Sequence, residues 1–338
     1  MKGSRPDPSF EQEVMAEPGG ENLHRCYSCG TCASACLVRR VDPDFNPRLI
    51  LRKVMLGMRE EVLTSPVPWL CSRCDLCYPL CPQQIHISEL MRAIRTIAIR
   101  QGYEPPGPTA VVDEALCSGC GMCATACPYE GIQLVPRSTA GRSPIEAESH
   151  EVAQVDPYTC MACGICAATC PTEAIRVDEY SRQKVAMRLQ AGGWLGSEGN
   201  KVVVFICNWC LRAENDRTRL GQFPSNVRVV NVPCTGQVDP SLVLTALTEG
   251  ADGALVVGCH PHECHYQQGN LLAHKRTIEI KPLLETLGIG GERLGIEWIG
   301  TSERSKIGGT VEGFVETIER LGPNPLNGAR QESFGRRP

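Results

Sequence analysis

"GALVVGCHPHECHY", residues 253–266, begins as an apolar run of strand length and ends as a loop holding two cysteines and three histidines. Three other runs share its apolar, β-branched character: "KVVVFIC" (201–207), "VRVVNVPC" (227–234) and "LGIEWIG" (294–300). Amphipathic stretches follow, at "DPSLVLTALTEG" (239–250), "GNLLAHKRTIEIKPLLETLG" (269–288) and "ERSKIGGTVEGFVETIERLG" (303–322). Continuous apolar strands spaced by helices predict a parallel, doubly wound α/β sheet over 201–322, with a disordered tail over 323–338. Such a sheet binds its ligand in the crevice outside its strand C-termini. Cys207, Cys234 and Cys259 end three strands, and Cys210 and Cys264 sit in the loops that follow. All five are therefore expected to converge on one edge.

Four thiolates at one place suit a [2Fe–2S] cluster or zinc, and a fifth leaves one spare. We favour [2Fe–2S], because the rest of the chain supplies redox neighbours to exchange electrons with. Structural zinc in a docking module is the second reading, and a thiol–disulfide active site the third. The histidines His260, His262 and His265 are expected beside the metal rather than on it.

Those neighbours are the other sixteen of the 21 cysteines. One spacing, C-x2-C-x2-C-x3-C, occurs four times: Cys26, Cys29, Cys32, Cys36; Cys71, Cys74, Cys77, Cys81; Cys117, Cys120, Cys123, Cys127; Cys160, Cys163, Cys166, Cys170. Proline follows the last cysteine in three copies (Pro82, Pro128, Pro171), and Leu37 in the first. Three cysteines at this spacing wrap three corners of a cubane, while the fourth reaches to the other cluster of a pair. Zinc, which pairs two separated C-x-x-C units, leaves the third cysteine without a use. The cross-over rule predicts four [4Fe–4S] clusters, held by Cys26, Cys29, Cys32 and Cys81; by Cys71, Cys74, Cys77 and Cys36; by Cys117, Cys120, Cys123 and Cys170; and by Cys160, Cys163, Cys166 and Cys127. Small residues (Gly30, Ala33, Gly119, Gly121, Gly164, Ala167) leave room for backbone N–H groups near the sulfurs. Arg73, inside "CSRCDLC", is read first as a solvated arginine paired with Asp75, and second as a charge that raises the potential of its cluster.

The motif pairs sit in different surroundings. "NPRLILRKVMLGMREEVL" (46–63) and "SELMRAIRTIAIRQG" (88–102) have helical spacing, so 21–103 reads as a helical two-cluster module after a flexible tail, 1–20. Between Cys127 and Cys160 lie strand-like "GIQLVP" and "EVAQVDP" around a polar insertion, 137–150, the layout of a ferredoxin domain over 110–182. The fold class is thus multidomain, α+β and α/β. A net charge of −4 gives no argument for a nucleic-acid partner or an acidic membrane. No apolar leader or membrane-spanning stretch is apparent, so a soluble, cytoplasmic protein is expected. "GIGGERLG" (288–295) follows a helix rather than a strand, so no dinucleotide loop is argued.

"CYSCGTCASACLVRR", "NPRLILRKVMLG" and "WLCSRCDLCYPLCP" resemble the C subunit of heterodisulfide reductase over 21–102. Residues 110–180 resemble a bacterial-type two-cluster ferredoxin. "CNWC", "VPCTGQVDP" and "GADGALVVGCHPHECHYQQGN" resemble the delta subunit of methyl-viologen-reducing hydrogenase over 201–322. That last resemblance implies a [2Fe–2S] cluster on Cys207, Cys210, Cys234, Cys259 and Cys264. It also implies a non-catalytic relay in a multi-subunit, flavin-bifurcating complex of an anaerobe. The implied partners are a heterodisulfide-reductase-A-like flavin subunit, together with reductase, hydrogenase or formate dehydrogenase subunits. Ile206 stands where such domains often carry a further cysteine, and no CCG pair is present, so any disulfide-reducing site lies on another chain.

Overall fold

The computed structural model describes residues 5–104, 107, 109–137, 151–177, 180–191, 194, 199–210, 223–300 and 303–327. Most of the polar insertion and the end of the C-terminal tail lie outside these. The chain divides into two compact units, one built mainly on 1–109 and the other mainly on 110–155, 162–264 and 268–338.

The first unit is helical. Helices α1 (Phe10–Ala16), α2 (Pro47–Met55) and α3 (Ile87–Arg100) carry its core, with Phe10, Val14, Leu51, Val54, Leu90, Met91 and Ile94 buried. Asn46 caps α2 by accepting from the Leu49 N–H at 3.4 Å, with Pro47 at the first helical position. The apolar period over 46–63 does not give one helix. It breaks at Gly57 (φ +69°), and a Cβ there would lie 2.4 Å from the Asp7 carbonyl oxygen. The expected tail over 1–20 is corrected by the same contact. The Asp7 N–H donates to the Gly57 carbonyl at 2.8 Å, Arg59 bridges Asp7 and Glu13, and Phe10 and Val14 are fully buried. Two apolar side chains in a polar stretch were enough to anchor it.

The second unit opens with two antiparallel pairs. Strand β1 (Ala110–Val112) lies against β4 (Ile175–Val177), and β2 (Ile132–Pro136) against β3 (Glu151–Val155) with Ile132 opposite Val155. The second pair is the one expected from sequence; the first, three residues per strand, is too short to show a period. Helix α4 (Arg182–Gln190), also unforeseen, contributes Val185 and Leu189 to the α/β core.

Strands β5 (Val202–Cys207), β6 (Val227–Val232), β7 (Gly253–Gly258) and β8 (Leu294–Trp298) form one parallel sheet in the order β6-β5-β7-β8. Every residue of β5 and β7 is buried, as two covered faces require. The coverings include α5 (Pro240–Thr248), α6 (Gly269–Thr286) and α7 (Ile307–Leu321). Because β5 is flanked by β6 and β7, the winding reverses between β5 and β7. That reversal is the switch point where such sheets bind ligands. The expected tail from 323 is also corrected at its start: Asn324 is buried, its N–H donating to Asp252 Oδ1 (2.7 Å) and its amide to the Ala251 carbonyl (2.9 Å).

Candidate metal centres

The C-x2-C-x2-C loops share a backbone device. In each, the residues flanking the second cysteine lie in the left-handed region: Ser28 and Gly30, Arg73 and Asp75, Gly119 and Gly121, Ala162 and Gly164. Left-handed residues beside a right-handed chain turn successive N–H groups to one concave side, a nest that suits an anionic cluster. Only half of these positions are glycine. Arg73 and Asp75 take a strained conformation, and their side chains show what holds them there. Arg73 Nη2 reaches Glu89 Oε1 at 2.5 Å, and Asp75 accepts from Ser88 and pairs with His86 at 3.2 Å. Both fasten the loop to the start of α3. The expected Arg73–Asp75 pair is therefore corrected to Arg73–Glu89, with only 11% of the arginine side chain exposed. Glu89 also binds Arg92 at 2.7 Å.

The thiols group as the cross-over rule requires in three sets. Cys26, Cys29, Cys32 and Cys81 line one cavity. Burial, then the charges of Cys26, Cys29 and Cys81, push the Cys32 thiol up to about 11. Burial raises Cys77 too, and its next contributors are Cys71, Cys74 and Cys36. Burial pushes Cys36 itself up to about 12, with Cys71 and Cys74 among the charges that add to it. Cys117, Cys120, Cys123 and Cys170 line a third cavity. In the fourth motif Cys163 and Cys166 are buried and Cys127 and Cys160 half-buried; their grouping rests on the spacing. Thiols that raise one another's proton affinity around a shared cavity disfavour a metal-free state. The donor sets fit [4Fe–4S] clusters, which would accept and release single electrons when bound.

The strand-end cysteines are arranged differently. Cys207, Cys210 and Cys259 have sulfurs all within 4.8 Å of one another, and no histidine or carboxylate joins that group among the described residues. Cys234 and Cys264 are hydrogen-bonded to each other, and that bond, then burial, raises Cys234 well above the ordinary thiol range. The hydrogen bond with Cys210 does the same to Cys207, and that with Cys207 to Cys259. The charge of Cys207 also acts on Cys234, and that of Cys264 on Cys259, so trio and pair face each other. All five are at most 5% exposed. The expected convergence is found at the β5/β7 switch point.

Local chemistry explains the placement. Cys207 is the last residue of β5, and a 3₁₀ turn, Asn208–Cys210, carries Cys210 back beneath it. Asn270, buried at the start of α6, donates to the carbonyls of Cys259 (2.9 Å) and His260 (2.7 Å) and so fixes the loop after β7. A Cβ at Gly269 would lie 2.2 Å from Cys234 Sγ, so α6 starts against that sulfur. Sequence reasoning missed Gly269 and Asn270, although "GN" opening a helix straight after a cysteine loop was a usable signal. Among the histidines, His260 pairs with Glu303 at 2.5 Å and His265 is fully buried. The Lys306 and then the His260 hydrogen bonds hold the Glu303 carboxyl down at about 2.

Comparison with known proteins matches these regions one by one. Two family models described as 4Fe-4S dicluster domains match residues 22–85 and 116–174. The model described as "Methyl-viologen-reducing hydrogenase, delta subunit" matches residues 202–322. The D-type iron-sulfur subunit of F420-non-reducing hydrogenase from Archaeoglobus profundus is 43% identical over 124 residues, 36% of this chain and 90% of that one. Its vhc counterpart from Methanococcus voltae is 39% identical over 128 residues, 37% of this chain and 89% of that one. The chain belongs to the hydrogenase delta-subunit family. A longer stretch, 216 residues or 63% of this chain, is 38% identical to the A-type subunit of the ferredoxin:CoB-CoM heterodisulfide reductase from Methanosarcina mazei. The match spans 26% of that relative, so it speaks for a shared part and not for the whole protein. No described helix is long and apolar enough to cross a membrane.

Proposed function

We propose that this delta-subunit relative is an electron-relay subunit carrying four [4Fe–4S] clusters on its sixteen motif cysteines and one [2Fe–2S] cluster in the strand-end crevice. The observation that carries the reading is the crevice itself. Five buried thiols stand as a trio opposite a pair, with Cys163 of the fourth motif close enough for its charge to act on Cys234. A trio facing a pair suits two irons, with Cys207, Cys210 and Cys259 and one member of the pair as ligands and the other as the spare. Clusters whose irons are all bound by protein thiolate leave no open position for substrate, which favours electron transfer over catalysis.

The partners that fit are those in the relatives' names: hydrogenase subunits and a heterodisulfide-reductase-A-like flavin subunit, with formate dehydrogenase as another donor. A bifurcating flavin complex in the cytoplasm of an anaerobe is the setting that would use such a relay. Burial speaks against the thiol–disulfide reading, since a substrate disulfide cannot reach sulfurs at most 5% exposed. Zinc remains the second reading, because sulfurs within 4.8 Å of one another also suit one tetrahedral ion.

Anaerobic metal analysis with EPR of the full chain separates the two. The relay reading expects about eighteen irons per chain and no stoichiometric zinc, with a reducible [2Fe–2S] signal that Cys259→Ala abolishes. About sixteen irons with one zinc would overturn the [2Fe–2S] assignment.

A further inference from the structure

The fourth motif and the crevice meet through a single arginine. Ile165, between Cys163 and Cys166, is fully buried, and a Cβ at Gly236 would meet its Cγ1 at 3.0 Å and the Gly269 Cα at 2.8 Å. Motif loop, post-Cys234 turn and helix start thus touch with almost no side chain between them. Arg276, about two turns along α6 from Gly269, spans the same junction. Its Nη1 donates to the Gly236 carbonyl at 2.5 Å and its Nη2 to Thr169 Oγ1 at 3.0 Å. The Thr169 hydroxyl passes the link on to the Ile165 carbonyl at 2.8 Å, and the Gly236 N–H donates to Cys234 Sγ at 3.4 Å. The guanidinium is therefore two hydrogen bonds from a ligand sulfur on one side and from the motif loop on the other.

Its charge is not cancelled on the spot. Both acceptors are neutral oxygens, and Asp239, Cys234 and Glu279 attract it only electrostatically. Burial lowers its affinity for the proton, yet a guanidinium stays charged in proteins. A fixed positive charge beside thiolate ligands favours whichever state of the bound centre carries more negative charge, the reduced one.

We propose that Arg276 is a positioning residue for electron exchange, clamping the Cys163–Thr169 loop to the Cys234 turn and raising the reduction potential of the centre in the crevice. This rests on the reading of the five cysteines as a redox centre. One electron and no proton is exchanged between neighbouring centres, one being oxidised as the other is reduced, so the side chain acts only through field and distance.

The test is an EPR-monitored redox titration of the full chain. In Arg276→Gln the crevice centre should become about tenfold harder to reduce, which for one electron is about 59 mV. The N-terminal clusters should titrate as in wild type. Arg276→Lys, which keeps the charge, should stay within about twofold. Thr169→Val, which keeps the arginine and cuts the clamp, should leave the midpoint alone but raise amide hydrogen exchange over 163–169. An unchanged midpoint in an iron-replete Arg276→Gln chain would overturn the inference while leaving the relay reading intact. If Arg276→Gln fails to load iron, an about tenfold shift in Arg276→Lys overturns it, since the charge is still there. A wild-type chain with no reducible crevice centre overturns both readings, and the missing irons identify that case.

Discussion

The motif loops and the strand-end crevice bind metal with the same atom and reach it by opposite routes. A motif loop is local: seven residues, two of them left-handed, bring three sulfurs around one concavity, and some remain wet, as Cys29 and Cys120 do. The crevice is assembled from three strand ends and two loops spread over residues 207–264, and all its sulfurs are dry. Local sites carry their geometry in a spacing. Non-local ones depend on the whole sheet having formed, so errors in packing should reach the crevice and spare the loops.

Removing ligands gives the largest expected effects. Cys81→Ala should cost about four irons, and from the cluster of the first motif rather than its own, because Cys81 shares a cavity with Cys26, Cys29 and Cys32. Cys259→Ala should cost about two and leave the sixteen-iron set in place. Loss of about four irons from Cys259→Ala would mean that the two kinds of site are not independent.

Gly269→Ala is the packing version of the same contrast. The added methyl would lie 2.2 Å from Cys234 Sγ, so the crevice must open, and the [2Fe–2S] signal should fall sharply while the [4Fe–4S] signals persist. Gly121→Ala meets nothing nearer than 3.5 Å but sits at φ +73°, so it should cost about 1 kcal/mol of stability and no irons. A normal crevice signal in Gly269→Ala would break the contrast.

Two arginines sharpen it further. Arg73 lies inside a motif loop, but Glu89 compensates its charge at 2.5 Å. Arg276 has only neutral acceptors. Arg73→Gln should therefore move its cluster's midpoint by well under the about 59 mV expected at Arg276, and EPR titration of the two variants side by side checks the ranking. An equal or larger shift at Arg73 would restore the potential-tuning role considered for it from sequence.

What was legible in the sequence follows the same division. The four cubane sets could be written from spacing alone, because each loop makes its own geometry. Three strands that end on cysteines also foretold the crevice, since a parallel sheet aligns its strand ends. The split of those cysteines into a trio and a pair was not legible; it depends on how the turn at Asn208–Cys210 folds back and where Gly269 starts its helix. Arg276 was hidden for the same reason, its partners Thr169 and Gly236 lying 107 and 40 residues away. The ordered segment around Phe10 was missed because two buried residues in a polar stretch make no period. The Arg73 pairing was misread because Asp75 is near in sequence, while the loop's left-handed turns send the two side chains to different residues at the start of α3.

The smallest expected effect tests whether the scaffold can loosen without the metal site noticing. Asp239 follows the Cys234 turn and caps α5, its Oδ1 accepting from the Leu242 N–H at 2.7 Å, with Pro240 at the first helical position. Asp239→Ala removes that acceptor and leaves a helical N–H unsatisfied, a loss of about 1 kcal/mol and roughly 2–4 °C in Tm. The residue also contributes to the field at Arg276, where its negative charge partly offsets the guanidinium. Removing it should therefore ease reduction of the crevice centre slightly, in the direction opposite to Arg276→Gln. Full iron content, a modest fall in Tm and a small upward shift in midpoint are the expected result. A downward shift would mean that the cap shapes the crevice itself, and that the boundary between scaffold and site lies further out than the five cysteines.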